Sequence, residues 1–134
     1  MRRILIVEDN PTNLKLASVI LTAAGYLTEG AVDAEEAAAA IAATVPDLIL
    51  MDLGLPGKDG YEFTRDLRGR AETADVPILA VTSFAMKGDR EKAIDAGCSG
   101  YLTKPIHRPA LLEQVASLLG ASESEPVPNE GSTV

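Results

Sequence analysis

The chain is poor in the residues that usually staple or ligate a small domain. It holds one Cys, one His and no Trp, with only two Phe and three Tyr in 134 residues. The single cysteine, Cys98, excludes an internal disulfide and suits a reducing compartment. Basic residues are scarce beside acidic ones: 12 Lys and Arg face 20 Asp and Glu, a net charge of −8. That balance argues against nucleic acid or an anionic membrane as the primary partner. No apolar run approaches the ~18 residues of a membrane span. The opening MRRILIVEDN has only four apolar residues between Arg3 and Glu8, so it is expected to be no signal peptide. What is present is 46% hydrophobic and 24% charged, close to the globular average. A chain of this size buries roughly two-thirds of its unfolded surface and folds as one domain without metal or disulfide support. An acidic cytoplasmic protein is expected.

Short, unbroken apolar runs alternate with segments of helical spacing. Ile4-Leu5-Ile6-Val7, Leu48-Ile49-Leu50-Met51 and Ile78-Leu79-Ala80-Val81 each read as a strand buried on both faces, the mark of parallel strands. Tyr101-Leu102-Thr103 is a shorter strand, and the more polar Leu27–Ala31, with Gly30, reads as an edge strand. Leu14, Ala17, Leu21 and Ala24 share a helix face that Gly25 ends. Asp33 caps an alanine-rich helix through Ala43, and Phe63 and Leu67 anchor a third. Ala93, Ile94 and Ala96 mark a fourth, closed by Gly97, and Leu111, Leu112, Val115, Leu118 and Leu119 stripe the last. Repeated βα units predict a doubly wound parallel sheet of five strands in flavodoxin-like order 2-1-3-4-5, with right-handed crossovers. Residues 121–134 carry three glutamates, two prolines and no basic residue, and are expected to form a disordered acidic tail with no output domain after it.

In such a sheet, ligands lie beyond the carboxyl ends of the strands. The first run ends in Glu8-Asp9, the second in Asp52, the third in Thr82-Ser83 and the fifth strand in Lys104-Pro105. Topology therefore gathers three carboxylates, two hydroxyls and one ammonium from positions far apart in sequence. Two like charges ~4 Å apart repel by roughly 4 kcal/mol at an effective dielectric of 20. Three carboxylates must raise one another's pKa or recruit a divalent ion. Oxygen donors with no neighbouring His or Cys fit Mg²⁺ or Mn²⁺ far better than zinc. Lys104 and Thr82 suit a phosphoryl group, so the set reads as a phosphoryl-transfer site with a carboxylate nucleophile.

Four segments in order at strand ends resemble the receiver domain of bacterial two-component response regulators. They are Ile6-Val7-Glu8-Asp9-Asn10, Leu48 through Pro56 with Gly60, Ala80-Val81-Thr82-Ser83, and Tyr101 through Ile106. Phe84 through Asp89 and Ala96-Gly97-Cys98 look like stand-alone DivK-type regulators and the receivers of hybrid kinases. The resemblance spans a receiver domain over residues 1–120. It implies that Asp52 is the phosphoacceptor and that Asp9, Asp52 and the Gly54 backbone carbonyl bind Mg²⁺, with Glu8 acting through water. It implies that Thr82 and Lys104 hold the phosphoryl group, that Tyr101 turns inward as the switch, and that Lys104-Pro105 is a cis peptide. It further implies a phosphoacceptor rather than a classical enzyme, one that promotes its own phosphorylation and dephosphorylation. Its partners would be a sensor histidine kinase or histidine phosphotransferase and a downstream protein effector; a homodimer is compatible. Two positions differ from common members: Glu8 stands where Asp is frequent, and Gly54 where a side chain often lies.

Two mechanisms compete within that class: phosphorylation-dependent protein binding, and a shuttle that passes the group to another histidine protein. An aspartyl-nucleophile phosphatase is disfavoured, because Gly54 stands where its acid–base Asp is needed. Plainer readings stand beside the sharp ones. Asp52 alone also reads as a strand end, Thr82 or Ser83 as a helix cap, Lys104 as a snorkelling lysine and Tyr101 as strand packing. His107 reads as an exposed bystander and Cys98 as a small buried hydrophobe. Asn10 and Pro11 read as cap and first residue of a helix. Phe84 and Met86 break a polar loop beside Thr82 and are expected to belong to a partner surface rearranged by phosphorylation.

Overall fold

The computed structural model describes residues 2–83 and 87–123. In chain order the elements are β1 (Arg3–Val7), α1 (Pro11–Ala23), β2 (Leu27–Ala31), α2 (Ala34–Ala43), β3 (Leu48–Asp52), α3 (Gly60–Arg68), β4 (Ile78–Thr82), α4 (Asp89–Ala96), β5 (Gly100–Thr103) and α5 (Arg108–Glu123). The strands form one parallel sheet in the order β2-β1-β3-β4-β5. The expected doubly wound, flavodoxin-like architecture is the one observed. Helix α5 continues past Gly120 to Glu123, and the remainder of the expected tail lies outside the described residues.

The alternation of side chains along each strand explains the unbroken apolar runs. Leu5, Val7, Ile49, Met51, Ile78 and Ala80 face one core with Ala37, Ile41, Phe63, Leu67 and Ala93 of α2, α3 and α4. Ile4, Ile6, Leu48, Leu50, Leu79 and Val81 face the other, against Ala17, Leu21, Leu111, Val115 and Leu119 of α1 and α5. Both faces of β1, β3 and β4 are thus covered, and neither tolerates a polar side chain until the strands end. The edge strand β2 needs no such purity: among its residues only Ala31 is buried.

Side-chain caps start α1 and α2 where the sequence predicts, and α3 at a cap not foreseen, Asp59. The Asn10 side chain accepts from the backbone N–H groups of Thr12 and Asn13, with Pro11 opening α1. Asp33 accepts from the Glu36 N–H at the start of α2, and Asp59 from the Glu62 N–H at the start of α3. Two details differ from the expectation. Ala24 is the exposed C-cap of α1 rather than part of its buried face. Ile94 is 45% exposed, because α4 turns Ala93 and Ala96 to the core instead.

The β3–α3 connection folds back tightly over the end of β3. A Cβ on Gly60 would sit 2.6 Å from the Asp52 carbonyl oxygen and 2.7 Å from the Leu53 Cα. Backbone atoms cannot yield cheaply, so Gly60→Ala is expected to destabilise the fold by about 1–3 kcal/mol. Gly54→Ala, whose nearest contact is 3.7 Å away, should be near neutral. Urea midpoints at unchanged m-value measure both.

Candidate functional site

The register of the sheet builds the site. Val7 pairs with Met51 and Asp52 with Val81, so Glu8, Asp52 and Thr82 emerge side by side where β1, β3 and β4 end. The Glu8 N–H donates to the Ala31 carbonyl at 2.9 Å, extending β1 by one residue and fixing where its side chain leaves the sheet. From β5, the Lys104 N–H donates to the Thr82 carbonyl at 2.8 Å, and the Lys104-Pro105 peptide is cis, as the resemblance implied. Glu8, Asp9, Asn10, Asn13, Asp52, Gly54, Thr82, Ser83 and Lys104 line one cleft of about 240 Å³.

Carboxylate oxygens of Glu8, Asp9 and Asp52 lie within 4.8 Å of one another. Glu8 and Asp52 are buried, at 5% and 6% exposure, while Asp9 is open to solvent. The two buried acids share Lys104, whose Nζ is 2.8 Å from Glu8 Oε1 and 3.4 Å from Asp52 Oδ2. The backbone N–H of Asn10 donates to Glu8 Oε2 at 3.1 Å, and that of Gly54 to Asp52 Oδ1 at 3.0 Å. Burial pushes the Glu8 carboxyl above its ordinary range, and the Asp52 charge adds to that; the Lys104 and Asn10 hydrogen bonds work against it. Burial alone would lower the Lys104 ammonium, but the Glu8 hydrogen bond and the Asp52 charge outweigh it and hold Lys104 above the usual lysine value. An all-oxygen cluster of this size, with no sulfur or imidazole among its donors, suits a hard divalent cation.

All the residues expected at the strand ends come together here, and the plain snorkelling reading of Lys104 does not hold. Its nearer partner, however, is Glu8 rather than Asp52. Asn13 was not foreseen: Pro11 starts α1 so that position 13, one turn beyond the cap, faces the cleft, a signal present in Asn10-Pro11-Thr12-Asn13. Thr82 is buried at 7% exposure and Ser83 is exposed. Tyr101 is only partly exposed, and its phenolic oxygen is buried with no hydrogen-bond partner among the described residues. His107 is exposed, and Cys98 is buried beside Thr64. Phe84 and Met86 lie outside the described residues.

Comparison with known proteins defines the class. Residues 4–116 match the response regulator receiver domain, and the chain belongs to that family. It is 42% identical over 119 residues to the polar-differentiation response regulator DivK of Brucella ovis, covering 89% of this chain and 97% of that protein. Among solved structures, a response regulator from Chloroflexus aurantiacus superposes with a TM-score of 0.86 at 32% identity, covering 89% of this chain and 98% of that one. The receiver domain of a sensor histidine kinase from Pseudomonas aeruginosa, with a magnesium ion coordinated in its active site cleft, superposes at 0.82 with 38% identity, covering 89% and 98%. Receiver domains act as phosphoacceptors in two-component signalling and bind Mg²⁺ in an acidic pocket; this chain carries an acidic cluster of Glu8, Asp9 and Asp52. Among the described residues no helix is long and apolar enough to cross a membrane.

Lys104 neutralises two buried acids, so its removal should show as a pH-dependent loss of stability. Lys104→Met is expected to be about 1–3 kcal/mol less stable than the parent at pH 7. Without the ammonium, the Glu8 carboxyl loses the partner that holds its raised pKa in check, so the deficit shrinks as the pH falls and Glu8 takes up a proton. In the parent, the raised Lys104 value means its contribution is present below pH 10.5 and fades only above it. Urea titrations at several pH values measure these differences.

Proposed function

We propose that the chain is a single-domain response regulator that accepts a phosphoryl group on Asp52 from a sensor histidine kinase or histidine phosphotransferase. The observation that carries this reading is the pairing of a buried Asp52 with Lys104 beside two further carboxylates in one open cleft. The Gly54 N–H fixes one Asp52 oxygen, and the other faces Lys104. That carboxylate attacks phosphorus, and the phosphorus–nitrogen bond to the donor histidine breaks as the new phosphorus–oxygen bond forms. Asp9, Asp52 and the Gly54 carbonyl are the groups that would hold Mg²⁺ directly, and Glu8 would act through water. When bound, the ion neutralises charge developing on the transferred phosphoryl group. Lys104 turns in part from its two carboxylate partners to pair with the phosphoryl oxygens, and the Thr82 hydroxyl donates to them as well.

Phosphorylation adds negative charge and strong acceptors at one point. Thr82 and Lys104 meet those acceptors in only one arrangement of their loops, which biases the elements beyond them, α4, β5 and Tyr101 among them. Binding of a downstream effector, in the cytoplasm, is the output this favours. Onward transfer to another histidine protein is the competing output. Mixing labelled phosphoprotein with a candidate partner separates the two: a stable labelled complex marks binding, and rapid loss of label to the partner marks a shuttle. A phosphatase role finds no support at position 54, where glycine offers no acid–base group.

Asp52→Asn is expected to abolish the base-labile acyl phosphate formed with Mg²⁺ and a small phosphodonor; undiminished labelling would remove Asp52 from the role. Asp9→Asn should keep the fold and weaken Mg²⁺ affinity by roughly tenfold or more, a loss that even outer-shell changes bring. Titration with Mn²⁺ followed by electron paramagnetic resonance reads the affinity directly.

A further inference from the structure

Among the described residues, Glu8, Asp52 and Asn13 line both the reactive cleft and a smaller cavity of about 10 Å³ beside it. The two acids have roles in the reading above; Asn13 has none. It is half-buried on α1, one turn before Ala17 and two turns before Leu21, which are both buried. Asn13 thus stands on the line of the helix that packs on the sheet, where an apolar side chain would continue the core. A carboxamide there lowers helix propensity and gives up apolar burial. The folding of α1 does not ask for it. The cap is made by Asn10, whose side chain accepts from the Asn13 backbone N–H at 3.1 Å, a bond that any residue but proline supplies at this position. The Asn13 carboxamide itself makes no hydrogen bond to any described residue.

The chemistry of the cluster shows what a neutral amide supplies here. Carboxylate oxygens of Glu8, Asp9 and Asp52 lie within 4.8 Å of one another, and Lys104 is the one cation among the residues lining the cleft. A small, hard dication held by such a cluster keeps several of its waters. Those waters donate strongly, and the groups that accept from them tune how well the ion is held. Asn13 Oδ1 is an acceptor that brings no charge, and its Nδ2 can donate to a neighbouring carboxylate. A fourth carboxylate in its place would attract a cation more strongly and would also repel an incoming phosphoryl group.

We propose that Asn13 is a positioning residue of the cation site: its carboxamide accepts from water on the bound divalent ion and holds that water against the acidic cluster, without adding charge to a cleft that also admits a phosphoryl group. The ion and the phosphoryl group rest on the receiver reading above; the placement of Asn13 does not.

The test compares the parent with Asn13→Ala, Asn13→Asp, Thr12→Ala and Asp9→Asn. Mn²⁺ affinity is read by electron paramagnetic resonance on the unphosphorylated chain, and acyl phosphate formation from acetyl phosphate is read at saturating Mg²⁺. Asn13→Ala should weaken Mn²⁺ binding by roughly three- to tenfold, up to the low end of what outer-shell partners are worth, and its labelling rate should return to the parent value once Mg²⁺ saturates. Asn13→Asp should do the opposite: Mn²⁺ binds about two- to fivefold more tightly, the scale of one added exposed charge, while labelling at saturating Mg²⁺ slows. Thr12→Ala, on the same turn but outside the cleft, should match the parent in both measurements. A merely structural role for Asn13 would not move affinity and rate in opposite directions. Unchanged Mn²⁺ affinity in Asn13→Ala, with Asp9→Asn weakened about tenfold or more, overturns this inference and leaves the acidic cluster standing. Unchanged affinity in Asp9→Asn overturns the cation reading and this inference with it. Slow labelling of Asn13→Ala at saturating Mg²⁺, an Asn13→Asp variant that binds Mn²⁺ no better than the parent, or a Thr12→Ala variant as weak as Asn13→Ala also overturns it. The Mn²⁺ titrations need no phosphoryl transfer, so failure of Asp52 as phosphoacceptor leaves them decisive.

Discussion

The charge pair that Lys104 makes with Glu8 and Asp52 is the interaction on which the rest depends. Burying two carboxylates beside a third opposes folding, since each loses water and repels the others. The ammonium from the far side of the sheet answers that repulsion at 2.8 and 3.4 Å, and backbone N–H groups of Asn10 and Gly54 take one oxygen of each acid. The site is therefore stable enough to exist yet keeps a net negative charge, a condition that favours a divalent cation. Both demands are met by the ends of strands that are otherwise wholly apolar.

Those strands do the positioning. Continuous burial on both faces fixes the register of β1, β3 and β4 because a slip by one residue would drive Glu8 or Asp52 into a core. The close approach of Gly60 to the Asp52 carbonyl bends the following loop back over the same edge and keeps Gly54 against the carboxylate. Chemistry at the cleft is thus a consequence of how far each hydrophobic run extends before it stops.

Much of this was legible beforehand. Three apolar runs, each ending in a polar residue, mark strands and site together, because a doubly wound sheet sends its strand ends to one place. Caps at Asn10 and Asp33 were readable for the same local reason: a short polar side chain beside free N–H groups. What escaped depends on three-dimensional packing. Ile94 looks like a core residue by composition, yet α4 turns only Ala93 and Ala96 inward. The preference of Lys104 for Glu8 follows from the longer reach of glutamate at that position, which residue type alone does not convert into a distance. The five bonds of Arg68 join three connections with no common sequence pattern.

The sheet also separates the molecule into two unequal halves. On one side, α1 and α5 bring large aliphatic side chains such as Ile20, Leu21, Leu111 and Leu119 to their core. On the other, α4 buries only Ala93 and Ala96 and displays charged side chains and Ile94 to solvent. A helix that asks so little of the interior leaves its outer face almost unconstrained by folding. Substitutions on that face can therefore accumulate with the buried carboxylates, their ammonium partner and the supporting strands left untouched.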